Sequence, residues 1–347
     1  MKLRHFLSGV LFLIGTVGCG KGENPEANEP EKPVNNMSGF ARGADVSWLT
    51  QMEKSGIKFY QANGHEMECM TLLRQLGMNA IRLRVWVNPV DGWCNTNDLV
   101  VKAQRAQQLG MRLMVDFHYS DTWADPGQQT KPSTWKNLSL EELKATVYTY
   151  TKEVLNTLKS KGVTPEWVQI GNETGNGMLW NDGKADKNMK NYAGLTRAGY
   201  DAVKEVCRKA KVIVHLQEGN KSAMYRWLFD GLKENGAKWD VVGMSLYPTN
   251  GNYKQMITDC MANVNDIIAR YGSEVMICEV GMAWDEAATA KTFLTELMKQ
   301  TRAIPQCLGI FYWEPQAYNE WQGYTLGAFD RRGRPTVALD AFAMPEY

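Results

Sequence analysis

Histidine is scarce in this chain: there are four in 347 residues, no His-x-His pair occurs, and His5 lies in the N-terminal leader. A catalytic zinc site draws on several histidines, so their scarcity counts against metal-dependent hydrolysis. The seven cysteines lack the close paired spacing of a structural zinc site. Charge of one sign is missing as well. Lys and Arg total 39 against 38 Asp and Glu, and no long run of like charge occurs, so nothing marks a nucleic-acid partner. No Gly-rich phosphate loop follows the first candidate strand, which counts against a doubly wound dinucleotide fold. No metal and no cofactor is expected.

The one long apolar run is at the N-terminus. Met1-Lys2-Leu3-Arg4-His5, apolar residues 6–17 and Gly18-Cys19 have the order of an export signal. The run is shorter than the roughly 20 residues that cross a bilayer. Cys19 after Gly18 is similar to a lipoprotein cleavage box, although Thr16 stands where a large aliphatic residue is usual. Residues 20–39 are rich in Glu, Asn, Pro and Lys and read as a disordered tether. The expectation is an exported monomer, lipidated at Cys19 and held at the outer membrane or cell surface, with plain secretion as the alternative. Among the other cysteines, Cys69, Cys94, Cys207, Cys260, Cys278 and Cys307, some pairing is open, while Cys278 and Cys307 lie in apolar runs that favour buried thiols.

From residue 40 to 347, short β-branched and aromatic runs alternate with longer amphipathic stretches. About eight strands are read, at 43–48, 80–87, 112–118, 167–172, 212–216, 241–247, 275–279 and 308–313. Helices are read at 99–109, 140–159, 192–209, 253–271 and 287–301 among others, with apolar residues at three- and four-residue steps. The unit count predicts one α/β domain, a closed (β/α)₈ TIM barrel. In such a barrel the C-terminal strand ends share one mouth, where active sites form. Polar and aromatic residues gather at those ends here.

Glu173 closes the fourth strand and Glu279 the seventh. Glycosidic cleavage needs one carboxylic acid to protonate the leaving oxygen and one carboxylate to act at the anomeric carbon. Either Glu alone reads equally well as a rim or salt-bridge residue, but the pair faces across a sugar-sized gap. The runs Gly43-Ala44-Asp45-Val46-Ser47-Trp48, Ile81-Arg82-Leu83-Arg84-Val85-Trp86-Val87-Asn88-Pro89, Asp116-Phe117-His118-Tyr119-Ser120-Asp121-Thr122-Trp123 and Gln169-Ile170-Gly171-Asn172-Glu173-Thr174 resemble glycoside hydrolase family 53. The likeness extends through Gly177-Met178-Leu179-Trp180 and Phe311-Tyr312-Trp313-Glu314-Pro315.

That resemblance implies an endo-β-1,4-galactanase acting on galactan and type I arabinogalactan, with Glu173 as acid/base and Glu279 as nucleophile in a retaining double displacement. It also implies Arg84 and Tyr247 as partners of the Glu279 carboxylate, with an internal ion pair as the alternative for Arg84 and a capping aromatic as the alternative for Tyr247. Asn172 is expected on the sugar hydroxyl beside the reacting carbon. His118 and His215 read as sugar-contacting or carboxylate-orienting donors, or as satisfied core histidines. Twelve tryptophans supply stacking surfaces, with Trp86 and Trp313 chosen as platforms. Asp45, Asp121 and Glu314 are candidate sugar ligands or rim salt-bridge residues. Some members of that family bind calcium in a long final loop, but residues 314–330 hold no dense acidic cluster. A barrel glycanase acting on mannan, xylan or glucan and a non-catalytic surface glycan-binding lipoprotein are the alternatives.

Overall fold

The computed structural model describes residues 39–343. Eight parallel strands, β1 (Ala41–Asp45), β2 (Ala80–Val85), β3 (Arg112–Phe117), β4 (Trp167–Ile170), β5 (Lys211–Leu216), β6 (Val241–Leu246), β7 (Glu274–Val280) and β8 (Cys307–Trp313), close in sequence order, β8 pairing back onto β1. Helices α1 (Leu49–Lys54), α2 (Cys69–Gln75), α3 (Thr96–Gln108), α4 (Leu140–Ser160), α5 (Ala185–Val206), α6 (Ser222–Glu234), α7 (Tyr253–Tyr271) and α8 (Ala287–Arg302) connect them. This is the expected (β/α)₈ barrel. The leader, Cys19 and the tether to residue 38 lie outside the described residues, as do residues 344–347. No described helix is long and apolar enough to cross a membrane.

Local sequence signals explain where elements begin and end. Ser139 and Glu142 form a capping box that starts α4, and Gly272 at φ 65° ends α7, so both helices match the periodic pattern almost to the residue. Helix α5 starts seven residues earlier than its pattern, because Asn188 (φ −155°) breaks the helical repeat near its start. Helices α1, α2 and α6 lie outside the segments read from periodicity. The first two are too short to show a repeat, and no side-chain cap marks the start of α6. All six described cysteines are buried free thiols.

Alternation along each strand sends every second side chain to the barrel axis. The lowest inward positions, including Ala41, Ala80, Met114, Trp167, Ile213, Met276 and Phe311, form an apolar floor, with the Trp167 indole edge-on to Phe311 at 6.0 Å. The opposite parity, Ala44, Ile81, Leu83, Val115, Val168 and Val214 among others, packs against the helices. One layer above the floor, inward parity brings up Asp45, Arg82, Asp116, Gln169 and His215, all fully buried. Nearly apolar strands thus carry a polar stratum beneath the mouth.

Strand β7 departs from parity. Met244 pairs with Ile277 but Ser245 with Glu279, so β7 holds one extra residue. Cys278 faces the floor and Val280 the helices. The bulge turns Glu279 to the axis, where strict alternation would have sent it outward to the helix layer.

Gly43 sits at an inward position where a Cβ would lie 2.1 Å from a ring carbon of Phe311. Gly43→Ala is therefore expected to lower the unfolding free energy by about 1–3 kcal/mol. Denaturant titration checks this: the midpoint should fall while the slope stays that of the parent.

Candidate active site

The polar stratum converges on one guanidinium. Arg82 reaches Asp45 Oδ2 through Nη1 at 2.8 Å, and through Nη2 it reaches Asp116 Oδ2 (2.9 Å), Glu279 Oε1 (2.9 Å) and Asn172 Oδ1 (3.0 Å). Its Nε and Nη2 also donate to Gln169 Oε1 at 3.2 and 3.1 Å. A planar fork with five N–H donors can satisfy such a ring of acceptors, which a single ammonium cannot.

Glu279 thus receives Arg82 on Oε1, and Tyr247 donates its hydroxyl to Oε2 at 2.7 Å. Glu173 stands in the left-handed region, φ 47°, two residues after Gly171 at φ 87°, and accepts one hydrogen bond, from Ser245 Oγ to Oε1 at 2.7 Å. Burial pushes the Glu173 carboxyl up to about 8, and the neighbouring Glu279 charge adds to the rise. Burial raises Glu279 as well, to about 7, less far than Glu173 because Arg82 and then Tyr247 pull against the rise. Of the two, Glu279 ionises first and Glu173 keeps the proton.

Above the pair opens a cleft of about 690 Å³ walled by indoles. Trp48 and Trp313 have ring centres 5.2 Å apart, Trp86 and Trp123 5.1 Å, and Trp123 and Trp313 5.9 Å. The Arg84 guanidinium lies 4.4 Å from the Trp123 ring centre, 5.1 Å from Trp48 and 5.2 Å from Trp86. Its Nη1 donates to Glu314 Oε1 at 2.6 Å, whereas Nε and Nη2 have no hydrogen-bond acceptor. The indole faces take that place.

Four expected roles need correction. Arg84 does not hold Glu279: both arginines face the axis, but Arg84 sits one layer higher and is captured by Glu314 and the tryptophans, leaving Glu279 to Arg82. Glu314 is not a sugar ligand, because it is fully buried and accepts from Arg84, the Trp48 amide and Gln316. Asp45 is likewise sealed in, by Arg82 and by the amide and hydroxyl of Ser47. His215 is fully buried behind Ser245 and cannot touch a sugar.

The other candidates line the cleft. His118 accepts at Nδ1 from Trp86 Nε1 and the Ala124 amide, both at 3.1 Å, so its Nε2–H points to Asp116 at 3.0 Å and the ring orients its neighbours. Asn172 donates to the Ala124 carbonyl and keeps a second N–H. Asp121 borders the cleft while its carboxylate ties the Asn88 amide to Ser133. Trp86, Trp313 and Tyr247 complete the wall. Sequence reasoning gave no site role to Arg82, Asp116, Gln169 or Ser245, and counted Trp123 only among the strand-end tryptophans. For the first three the signal was present, as polar residues at inward parity in otherwise apolar strands. Among the described residues no cluster of three His, Cys, Asp or Glu is arranged to hold a metal.

With this geometry, comparison with known proteins is specific. The model of glycosyl hydrolase family 53 matches residues 41–342. An endo-β-1,4-galactanase of Bacillus subtilis is 33% identical over 309 residues, covering 80% of this chain and 70% of the relative. A solved fungal β-1,4-galactanase superposes with a TM-score of 0.82 at 27% identity, covering 87% of this chain and 98% of its own. The family 53 catalytic domain of Ignisphaera aggregans gives 0.79 at 31% identity, with coverages of 90% and 97%.

The raised Glu173 carboxyl also bears on stability. The folded chain keeps this proton up to about 8, whereas the unfolded chain releases it near the ordinary 4.5. That contribution is whole below 4.5 and is lost as pH rises through about 8. Glu173→Gln should therefore melt higher than the parent, with an advantage that grows from pH 5 to pH 8 to roughly 1–3 kcal/mol. Parallel thermal melts at the two pH values measure it, and an advantage that shrinks with pH would contradict the assignment of the proton.

Proposed function

The chain belongs to glycosyl hydrolase family 53, and from that membership we infer that it hydrolyses internal β-1,4-galactosidic bonds of galactan and type I arabinogalactan with retention of configuration. The observation that carries the reading is the unequal pair: two buried glutamates share one cleft, one ion-paired with Arg82 and accepting from Tyr247, the other with a single serine donor and the higher hold on its proton.

Glu173 gives its proton to the glycosidic oxygen as Glu279 attacks the anomeric carbon, and a glycosyl ester forms on Glu279. Glu173, now a carboxylate, takes a proton from the water that attacks this ester, which restores both groups. Arg82, already paired with Oε1, favours the Glu279 carboxylate before attack and again as it leaves the ester in the second step. The second N–H of Asn172 serves the 2-hydroxyl, a contact that tightens as the anomeric carbon flattens. Trp86 and Trp313 give the sugar rings apolar faces.

The test is reducing-sugar release from linear β-1,4-galactan beside mannan, xylan and carboxymethyl-cellulose, with chromatography of early products. Mixed galacto-oligosaccharides from galactan alone are expected; cleavage of another glycan in its place would refute the substrate. Glu173→Gln and Glu279→Gln should each lower kcat by at least about 10²–10⁴-fold.

The proposal extends to address and assembly, on the sequence alone. Residues 1–18 form the export signal and Cys19 carries lipid, holding a monomeric barrel at the outer membrane or cell surface through the tether. Labelled palmitate should enter the parent and not Cys19→Ser; label in neither would mean plain secretion.

A further inference from the structure

His215 and Ser245 lie beneath Glu173 and take no part in the chemistry above, yet both are buried polar groups with every bond spoken for. Their hydrogen bonds run in one direction. The Gln169 amide is oriented at both ends, since Oε1 accepts from Arg82 and Nε2 donates to Asp116 Oδ1 at 2.6 Å. Nε2 also lies 2.9 Å from His215 Nδ1, 3.0 Å from Asn172 Oδ1 and 3.2 Å from the Gly171 carbonyl, and Asn172 Oδ1, the nearest acceptor to Nδ1 at 3.1 Å, faces the Arg82 and Gln169 N–H groups with both its lone pairs. Nδ1 therefore accepts and the ring hydrogen sits on Nε2. That nitrogen is 2.8 Å from Ser245 Oγ, so the serine receives from the ring and sends its own hydrogen to Glu173 Oε1 at 2.7 Å. Ser245 is also the residue at which the β6–β7 register shifts, which sets it beside Glu279.

We propose that this donor chain, from Gln169 through His215 and Ser245 to Glu173, keeps Oε1 an acceptor throughout the cycle and confines the catalytic proton to Oε2, which has no hydrogen-bond partner among the described residues. His215 and Ser245 are positioning residues: they aim the acid and then hold the carboxylate that results. The direction persists because His215 stays neutral. Burial, and next the Arg82 charge, hold its pKa well below the usual histidine range against the opposing pull of Asp116. Glu173 itself faces Glu279, Arg82 and Asp125, and the serine hydroxyl opposes the rise that burial imposes. Because Arg82 orients Gln169 and also binds Glu279, one guanidinium sets the geometry of both catalytic carboxyls.

The inference rests on Glu173 being the acid/base, and the experiment separates the two. Aryl β-1,4-galactobiosides with poor and good leaving groups are compared through kcat/KM for the parent, Glu173→Ala, Ser245→Ala, Ser245→Thr and His215→Gln. A dinitrophenolate needs no protonation, so loss of acid catalysis shows only with the poor leaving groups. Ser245→Ala is expected to lose about 10-fold on the poor leaving group and under about 2-fold on the good one, part of the 10²–10⁴-fold that a general acid supplies. Its alkaline limb should move to higher pH, with His215→Gln following in the same direction and Ser245→Thr returning toward the parent. Equal losses on both substrates with an unmoved limb would overturn the relay and leave Glu173 as the acid. If Glu173→Ala itself shows no leaving-group dependence, the acid/base assignment falls and the relay with it.

Discussion

Arg82 is the constraint on which the rest of the site depends. A cation taken fully out of water is costly unless its donors are all met, and three carboxylates and two side-chain amides surround this one. Each acid comes from a different strand, so the arginine also fixes β1, β2, β3 and β7 around one centre. Removing it would leave Asp45, Asp116 and Glu279 facing one another without compensation, which is far worse than losing a single contact. The excess of acids over bases in that centre has a functional consequence. Added to the burial that raises Glu173 most, the Glu279 charge keeps the last proton on Glu173, and so two chemically identical side chains divide into an acid and a nucleophile.

That division works against stability. Glu173 is held in left-handed backbone, and it is buried where ionisation is unfavourable. The apolar floor offsets this, because Trp167, Phe311 and their neighbours fill the lower barrel without polar atoms to satisfy, apart from the Trp167 indole N–H. Strain and charge are thus kept to the mouth and packing to the base, as the C-terminal placement of barrel active sites implies.

Much of this arrangement was legible in the sequence. Eight strands alternating with helices gave the barrel, and strand-end chemistry gave Glu173, Glu279 and most of the cleft wall. Strands read as 80–87 and 241–247 ran past the last ladder pair because the residues that follow, Trp86 and Tyr247, are just as aromatic but belong to the cleft. The choice of Arg84 over Arg82 failed for a plain geometric reason. Proximity to the strand end suggested Arg84, whereas alternation places both on the axis and register sets Arg82 level with Asp45, with Arg84 one inward step nearer the mouth, where Glu314 takes it. The β7 bulge could not be read at all: nothing in Val275-Met276-Ile277-Cys278-Glu279 shows that parity breaks before the nucleophile.

The same layering accounts for the charge of the cleft. Its described walls include Asp91, Asp121 and Asp125 beside the catalytic pair and no Lys or Arg, while Arg82 and Arg84 lie beneath, neutralised by buried acids. A wall of that sign suits a reaction whose transition state gathers positive charge at the anomeric carbon. It also opposes entry of a uronate-bearing chain, since every carboxylate on such a polymer would meet like charge between low-dielectric indole faces. Neutral galactan meets no such barrier. It meets C–H-compatible indoles and hydrogen-bonding oxygens, and the acidic sign of the wall follows from burying the two arginines beneath it.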